Sequence, residues 1–152
     1  MGSSTIEALE DALITKLRAS ISSLKTVKRY QGDFDVENLA SITGLWPCAL
    51  ILYGGATLEW KNRGRTGTAR LTIFLGYKNP YSKTAARVLD YDLLEGVPAA
   101  IDHVLLGGYY LDPTGETMIY HDNDITIYAQ EYKYEIKGRV SSRASGEFLP
   151  LR

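Results

Sequence analysis

The sequence has few of the residues that build metal sites, disulfides or membrane spans. Its 152 residues include one cysteine, two histidines, two tryptophans and two methionines. Because Cys48 is alone, the chain cannot form an internal disulfide or a thiolate metal cluster. No apolar run reaches the roughly 18 residues of a membrane-spanning helix, and the amino terminus lacks the charged and apolar regions of a signal peptide. We therefore expect a cytoplasmic fold without disulfides, metals or membrane contact.

Residue patterns for catalysis are also scarce. His103 and His121 have no Gly-x-Ser-x-Gly elbow near them, so a nucleophile with an adjacent base is not indicated. The two glycines of residues 64–67 have the spacing of a Gly-x-x-Gly loop, but the Gly-Lys-Ser/Thr sequence of a phosphate-binding loop does not follow them. Residues 121–124 are rich in Asp and Asn but lack the spacing and distal Glu of a calcium loop. We expect no enzymatic activity, no cofactor and no metal site.

Length and composition indicate one globular domain. The chain is 45% apolar and 23% charged, and it contains eleven tyrosines against three phenylalanines. Tyrosine combines a wide contact area with a polar tip and suits both half-exposed strands and protein interfaces. We predict a single domain over residues 1–152, with residues 139–152 as a flexible or partner-ordered tail.

Charge is segregated along the chain, although the net charge is only −1. Residues 60–89 carry seven positive charges and no acid: Lys61, Arg63, Arg65, Arg70, Lys78, Lys83 and Arg87. Residues 90–124 carry eight negative charges and no Lys or Arg: Asp90, Asp92, Glu95, Asp102, Asp112, Glu116, Asp122 and Asp124. The two blocks either neutralise each other within one fold or create two oppositely charged sides that favour head-to-tail contacts between copies.

Apolar periodicity predicts two long helices. Leucines and isoleucines recur at helical spacing over residues 5–22 and again over residues 83–106. Gly96 and Pro98 are expected to kink or split the second helix, because proline cannot donate to a helical carbonyl. A short helix is predicted between Asp35, as its cap, and Gly44.

Several segments have the pattern of strands. The near-continuous apolar run at residues 49–53 predicts a central strand covered on at least one face, with residues 57–60 as its extension or a new edge. Together with residues 70–77 it forms a predicted β-hairpin, and the glycine-punctuated residues 61–68 form its basic tip. A shorter strand is predicted at residues 26–30.

The last third of the chain contains two further strand signals. Residues 112–115 have the composition of a turn, and residues 117–120 that of a short strand. Residues 125–136 predict a long strand in which the apolar positions change from odd to even numbers. A β-bulge near Gln130 or Glu131 would account for that change of phase. The expected architecture is α+β: a two-layer sandwich with a mostly antiparallel sheet and both long helices on one face.

The chain contains a series of short runs whose order and spacing are informative. The runs are IEALEDALI at 6–14, RYQGDF at 29–34, LWP at 45–47, LILYGG at 50–55, KNPY at 78–81 and YDLLE at 91–95. In this order and spacing they resemble the tail-terminator (tail-completion) proteins of Mu-like contractile-tailed phages. The resemblance covers about the first two-thirds of the chain. It implies a tail-terminator-like α+β fold without catalytic residues.

The resemblance also implies a role and a set of partners. Such proteins form a hexameric ring that caps the tail tube, ends tail growth and offers a surface to the head. It implies contacts with tube, sheath and neck proteins, and a virion location after assembly in a bacterial cytoplasm. A compact chain of 152 residues is roughly 40 Å in diameter. Six such subunits in a ring enclose a hole of about the same diameter, through which DNA can pass while making non-specific phosphate contacts. The alternatives are a head-side connector or neck adaptor and, third, a nucleic-acid-binding domain, which the pI of about 6.1 disfavours.

Candidate contact residues follow from the charge segregation and not from the resemblance. The basic interface or lumen candidates are Lys61, Arg63, Arg65, Arg70 and Lys78. The acidic interface candidates are Asp90, Asp92, Asp112, Asp122 and Asp124.

Replacing Lys61, Arg63 and Arg65 together by Ser tests whether the hairpin tip is a contact surface. Exposed charges interact weakly with their own fold, so we expect the free energy of unfolding to change by less than about 0.5 kcal/mol. Electron microscopy should then show tails of uncontrolled length or tails without heads if the tip docks to other proteins. Normal particles that deliver DNA poorly would instead place the tip at the lumen. A lowered melting temperature with normal particles would show that these residues only pair with acids of their own chain.

Overall fold

The computed structural model describes residues 5–31, 46–61, 64–78, 83–121 and 124–136. Two predictions lie outside the described residues: the short helix between Asp35 and Gly44, and the tail at 139–152. Neither helix in the described ranges combines the length and apolar character needed to cross a membrane.

The described chain contains two helices and five strands. In chain order they are α1 (Thr5–Ser20), β1 (Thr26–Arg29), β2 (Cys48–Lys61), β3 (Gly64–Lys78), α2 (Lys83–Ile101), β4 (Asp112–His121) and β5 (Ile125–Ile136). The strands form one sheet in the order β1-β2-β3-β5-β4. β1 is parallel to β2, and the other three pairings are antiparallel. The fold is therefore α+β with a mixed five-stranded sheet.

The larger core lies between the helices and one face of the sheet, here called the helix-side face. Both helices contribute to it, α1 through leucines that include Leu13 and α2 through residues that include Val97. The sheet contributes alternate positions of its strands. These are Ala49, Ile51, Leu71, Ile73, Leu75, Tyr77, Tyr132 and Tyr134. Burial of this apolar surface, at about 25 cal/mol per Å², is the main term that stabilises the fold.

A second, smaller core lies on the opposite face, here called the far face. It contains Trp46, Cys48, Leu50, Ile125 and Ile127, all of which are buried. Cys48 is thus a buried side chain of this core. The first half of β2 is covered on both faces, which confirms the prediction of a central strand at residues 49–53.

Gly76 allows Trp46 to pack closely on the far face. A Cβ atom at position 76 would lie 2.4 Å from Cζ3 of the Trp46 ring. No side chain fits at that distance, so the ring lies directly over the β3 backbone. Tyr30 and Phe74 extend the same cluster, with their ring centroids 5.2 Å apart.

The change of phase in β5 has a different cause from the predicted bulge. β5 pairs with β3 without interruption from Ile125 to Ile136, so the prediction of a bulge near Gln130 or Glu131 was wrong. The odd positions Ile125 and Ile127 face the small core on the far face. The even positions Tyr132 and Tyr134 face the helices. A straight strand therefore changes its apolar face because each face is covered over a different part of its length.

β4 is longer than predicted, and the bulges belong to it. Residues 112–115, predicted as a turn, are the first part of the ten-residue strand Asp112–His121. Its register with β5 shifts between Pro113 and Gly115 and again between Met118 and Tyr120. Proline is tolerated at a bulge on an edge strand, where a missing N–H leaves the ladder intact. The proline and glycine of residues 112–115 therefore lie in an irregular edge strand and not in a turn.

The β2–β3 hairpin has a tighter turn than predicted. The two strands pair as far as Lys61 with Gly64, so residues 64–68 belong to β3 and not to a long polar tip. Between Tyr53 and Ala56 the register shifts by one residue, in a stretch where Gly55 has φ of 90°. Such a bulge increases the local twist of the hairpin.

α2 is continuous through Gly96 and Pro98 and ends at Ile101, so the predicted extension to residue 106 was wrong. Leu106 and Tyr109 then close a tight turn through two backbone hydrogen bonds of 2.8 and 2.9 Å. Gly107 in that turn has φ of 57°, and a Cβ there would lie 2.7 Å from the Leu9 nitrogen of α1. The turn after α2 thus packs on the start of α1.

Replacing Ile51 by Asp tests the assignment of β2. The side chain is 1% exposed in the helix-side core, and an unpaired buried charge costs several kcal/mol, comparable to the whole stability of a domain. We expect I51D to be insoluble or unfolded by circular dichroism. The matched control is Leu52→Asp, because this neighbouring side chain is 38% exposed on the far face and its variant should stay folded. An I51D variant with an unchanged melting temperature would contradict the assignment.

Candidate assembly surfaces

The basic candidate residues do not form one cluster. Arg70 and Lys78 are both exposed, but Arg70 lies in the middle of β3 and Lys78 at its end, eight residues and roughly 27 Å apart at a strand's rise. Arg70 is paired in register with Lys133 of β5, so two positive charges are neighbours on the far face. Lys61 and Arg65 belong to the paired strands of the hairpin, whereas Arg63 lies outside the described residues.

The acidic candidates are distributed over helix α2, strand β4 and the residues just before β5. Asp92 is exposed on α2, and Asp90 belongs to the same helix. Asp112 is exposed at the start of β4, where it pairs in register with Lys133. Asp124 is exposed just before β5, and Asp122 is outside the described residues. The acids therefore mark the α2–β4 side of the molecule and not a single site.

Strand β4 is the most exposed regular element in the described part of the chain. Nine of its ten residues are exposed, and Tyr120 is half-buried. Met118 and Ile119 are 50% and 48% exposed, next to one another in the strand. A long edge strand with apolar side chains is a site at which proteins pair with other chains. This surface was not predicted, because residues 112–115 have the composition of a turn and only residues 117–120 were predicted as a strand.

The other edge of the sheet is protected. β1 has four residues, and Arg18 of α1 donates a 2.8 Å hydrogen bond from Nη2 to the Val27 carbonyl. Arg29 joins β1 to α1 by donating to carboxylate oxygens of Glu10 and Asp11, each at 2.7 Å. These hydrogen bonds, to Glu10 first and to Asp11 second, raise the pKa of Arg29. Helix α1 therefore closes the β1 edge, whereas β4 carries no such cover among the described residues.

A buried polar network joins α2 to the two last strands. The amide nitrogen of Gln130, on β5, donates to the Leu94 carbonyl and to the Glu116 carboxylate, both at 2.8 Å. The Tyr132 hydroxyl donates to the Gln130 amide oxygen at 2.9 Å. Leu94 is four residues before Pro98, so its carbonyl has no helical N–H to accept from. Gln130 thus supplies the hydrogen bond that Pro98 removes from the helix.

A cleft of about 230 Å³ lies beside this network, between α2 and β4. It is lined by Pro98, Pro113, Gly115, Glu116, Gln130 and Tyr132. Burial, followed by the negative charge of Glu116, raises the pKa of the Tyr132 phenol, so the hydroxyl remains a hydrogen-bond donor at neutral pH. Gln130 is hydrogen-bonded to both Glu116 and Tyr132, so the polar side chains that line the cleft are linked to one another.

Within the described ranges, no group of three or more His, Cys, Asp or Glu side chains is placed to hold a metal ion. His121 bonds through Nδ1 to the Thr126 hydroxyl at 2.8 Å, and His103 is exposed beside Asp102. Among the described residues, the most distinct surface features are the exposed edge at β4 with its acidic side chains and the β1 edge, which α1 contacts through hydrogen bonds.

The fold has a counterpart among solved structures. No family model and no curated protein matches the chain. A chain of the structure titled "Virion of native gene transfer agent (GTA) particle" superimposes with a TM-score of 0.55 at 12% sequence identity. The match covers 90% of this chain and 100% of that chain. At this identity the likeness establishes a shared fold over nearly the whole length.

Replacing Gln130 by Met tests the network under α2. The substitution leaves the Leu94 carbonyl and the Tyr132 hydroxyl without a partner, so we expect a loss of about 2 kcal/mol in urea denaturation. In a Pro98→Ala background the loss should be about 1 kcal/mol smaller, because an alanine at that position offers the missing N–H to Leu94. Tyr132→Phe is the control that removes only one hydrogen bond. Strict additivity of Q130M and P98A would contradict the role assigned to Gln130.

Proposed function

We propose that this chain is a structural protein of a phage-like virion. The observation that carries the proposal is the fold shared, over the full length of the matching chain, with a component of a gene transfer agent virion. Its independent support is the resemblance of short sequence runs to tail-terminator proteins, which are also virion components. A role in assembly and not in catalysis agrees with an exposed, charged edge and a polar network whose groups bond to one another.

Within the virion, the proposed role is that of the tail terminator. Copies of the chain form a hexameric ring on the last ring of the tail tube, stop polymerisation of tube and sheath, and give the neck proteins a docking surface. The chain acts as a two-layer sandwich whose helices close one side of each subunit. DNA passes through the lumen of the ring and meets only non-specific contacts with basic side chains. The protein is assembled in the host bacterial cytoplasm and ends in the tail and neck region of the particle.

The structural features that support this role are the two different edges of the sheet. A ring requires each copy to use two distinct surfaces, one for each neighbour. The closed β1 edge and the open β4 edge lie at the two ends of the five-strand order, roughly 19 Å apart at the usual strand spacing. Such a subunit has two different edges on opposite sides of its sheet. A heterologous contact between neighbours in a ring requires two different surfaces of this kind.

Deleting the gene from a strain that produces the particle tests the terminator role. We expect negative-stain images to show tails of uncontrolled length without heads, because nothing then stops tube growth. Supplying the wild-type gene in trans should restore tail length, whereas the I51D allele should not. Tails of normal length that lack heads would contradict the role of terminator and indicate a neck adaptor. Intact particles in the deletion strain would contradict both roles.

A further inference from the structure

The β4 edge combines an open strand with a uniform charge. The exposed acids on this side include Asp102, Asp112 and Glu116. Neither Lys nor Arg occurs between Val88 and Tyr132, so the acids around β4 have no basic neighbour in the same stretch of chain. Lys133 is the nearest basic residue on the C-terminal side in sequence, and its register partner on β4 is Asp112. The edge therefore presents Met118 and Ile119 within a negative field.

The opposite side of the sheet has the complementary charge. Residues 5–31 carry five basic residues (Lys16, Arg18, Lys25, Lys28 and Arg29) and three acids (Glu7, Glu10 and Asp11), which leaves +2. Two of those acids, Glu10 and Asp11, are bonded to Arg29. Lys25 is exposed between α1 and β1, and Arg18 lies over the β1 backbone. The α1–β1 side is thus basic and already closed to strand addition.

These two sides point to how copies of the chain contact each other. We propose that the β4 edge of one copy packs against the α1–β1 side of the next copy, as the repeating contact of the ring. The proposal rests on the proposed function, since it names the interface of that ring. Pairing of two β4 edges is disfavoured because it would bring the acids of one edge against those of the other. The two bulges in β4 also interrupt a regular ladder, so side chains carry the contact.

Cysteine cross-linking of the purified full-length protein tests this interface. The variant Lys25→Cys/Met118→Cys places one thiol on each proposed surface, and the native Cys48 is buried. With a short bismaleimide we expect a ladder of covalent multimers on denaturing gels, ending at the closed ring. The single variants K25C and M118C should remain monomeric. The matched control Lys25→Cys/Arg70→Cys moves one thiol to the exposed far face of a central strand and should give no ladder.

Salt dependence provides the second readout. Because charge attraction between exposed groups is screened over about 3 Å at 1 M salt against about 10 Å at 0.1 M, the cross-linked fraction should fall several-fold between these conditions. Dimers from M118C alone would overturn the proposal in favour of paired β4 edges. A double variant that stays monomeric at all protein concentrations would overturn it as well.

The outcomes separate this interface from the proposed function. Tails of uncontrolled length in the deletion strain without a ladder would leave the terminator role intact and refute the β4 contact. A ladder together with unchanged tails would establish the self-association and refute the terminator role.

Discussion

Unequal coverage of the two sheet faces is the constraint on which the rest of this structure depends. The helices cover the helix-side face from Val27 on β1 to Tyr134 on β5. On the far face, the buried residues are confined to the end of the sheet around Cys48 and Ile127. The other end of that face carries exposed residues such as Arg70 and Lys133. One face therefore supplies most of the apolar burial, and part of the other remains open to solvent and to other chains.

This constraint explains where sequence patterns succeed. Residues 49–53 have the pattern of a buried strand, and residues 49–51 are covered on both faces. Helix α1 has the pattern of an amphipathic helix because only one of its sides meets the sheet. The predicted helix starts at Thr5 and Lys83 agree with the structure. An α+β fold with a hairpin between residues 48 and 78 could thus be predicted from apolar spacing alone.

The same constraint explains where sequence patterns fail. Coverage of β5 passes from one face to the other along a straight strand, and a one-dimensional pattern cannot distinguish that change from a bulge. Pro113 and Gly115 signal a turn by composition, but an edge strand tolerates them because its outer side makes no ladder. Gly96 and Pro98 predict a kink or a split in α2; the helix is not split there, and Gln130, distant in sequence, provides the hydrogen bond that Pro98 removes. Each failure concerns a contact between segments that are far apart in the chain.

The candidate surfaces, like the fold, could be predicted from the sequence only in part. The segregation of charge was visible in the sequence, and the structure describes acidic candidates on α2, at the start of β4 and just before β5. Residues 117–120 had the pattern of a short strand, but nothing in the sequence marked Met118 and Ile119 as part of an open edge. The sequence does not show that the basic α1–β1 segment and the acidic β4 segment lie at opposite edges of the sheet. That follows only from the strand order β1-β2-β3-β5-β4.

The central claim is that copies of this chain form a ring at the end of a phage-like tail. Electron cryomicroscopy of purified particles at the junction of tail and head measures this directly. We expect one closed ring of copies around the lumen, located on the last ring of the tail tube. A single copy at that position, or density for this fold only elsewhere in the particle, would contradict it.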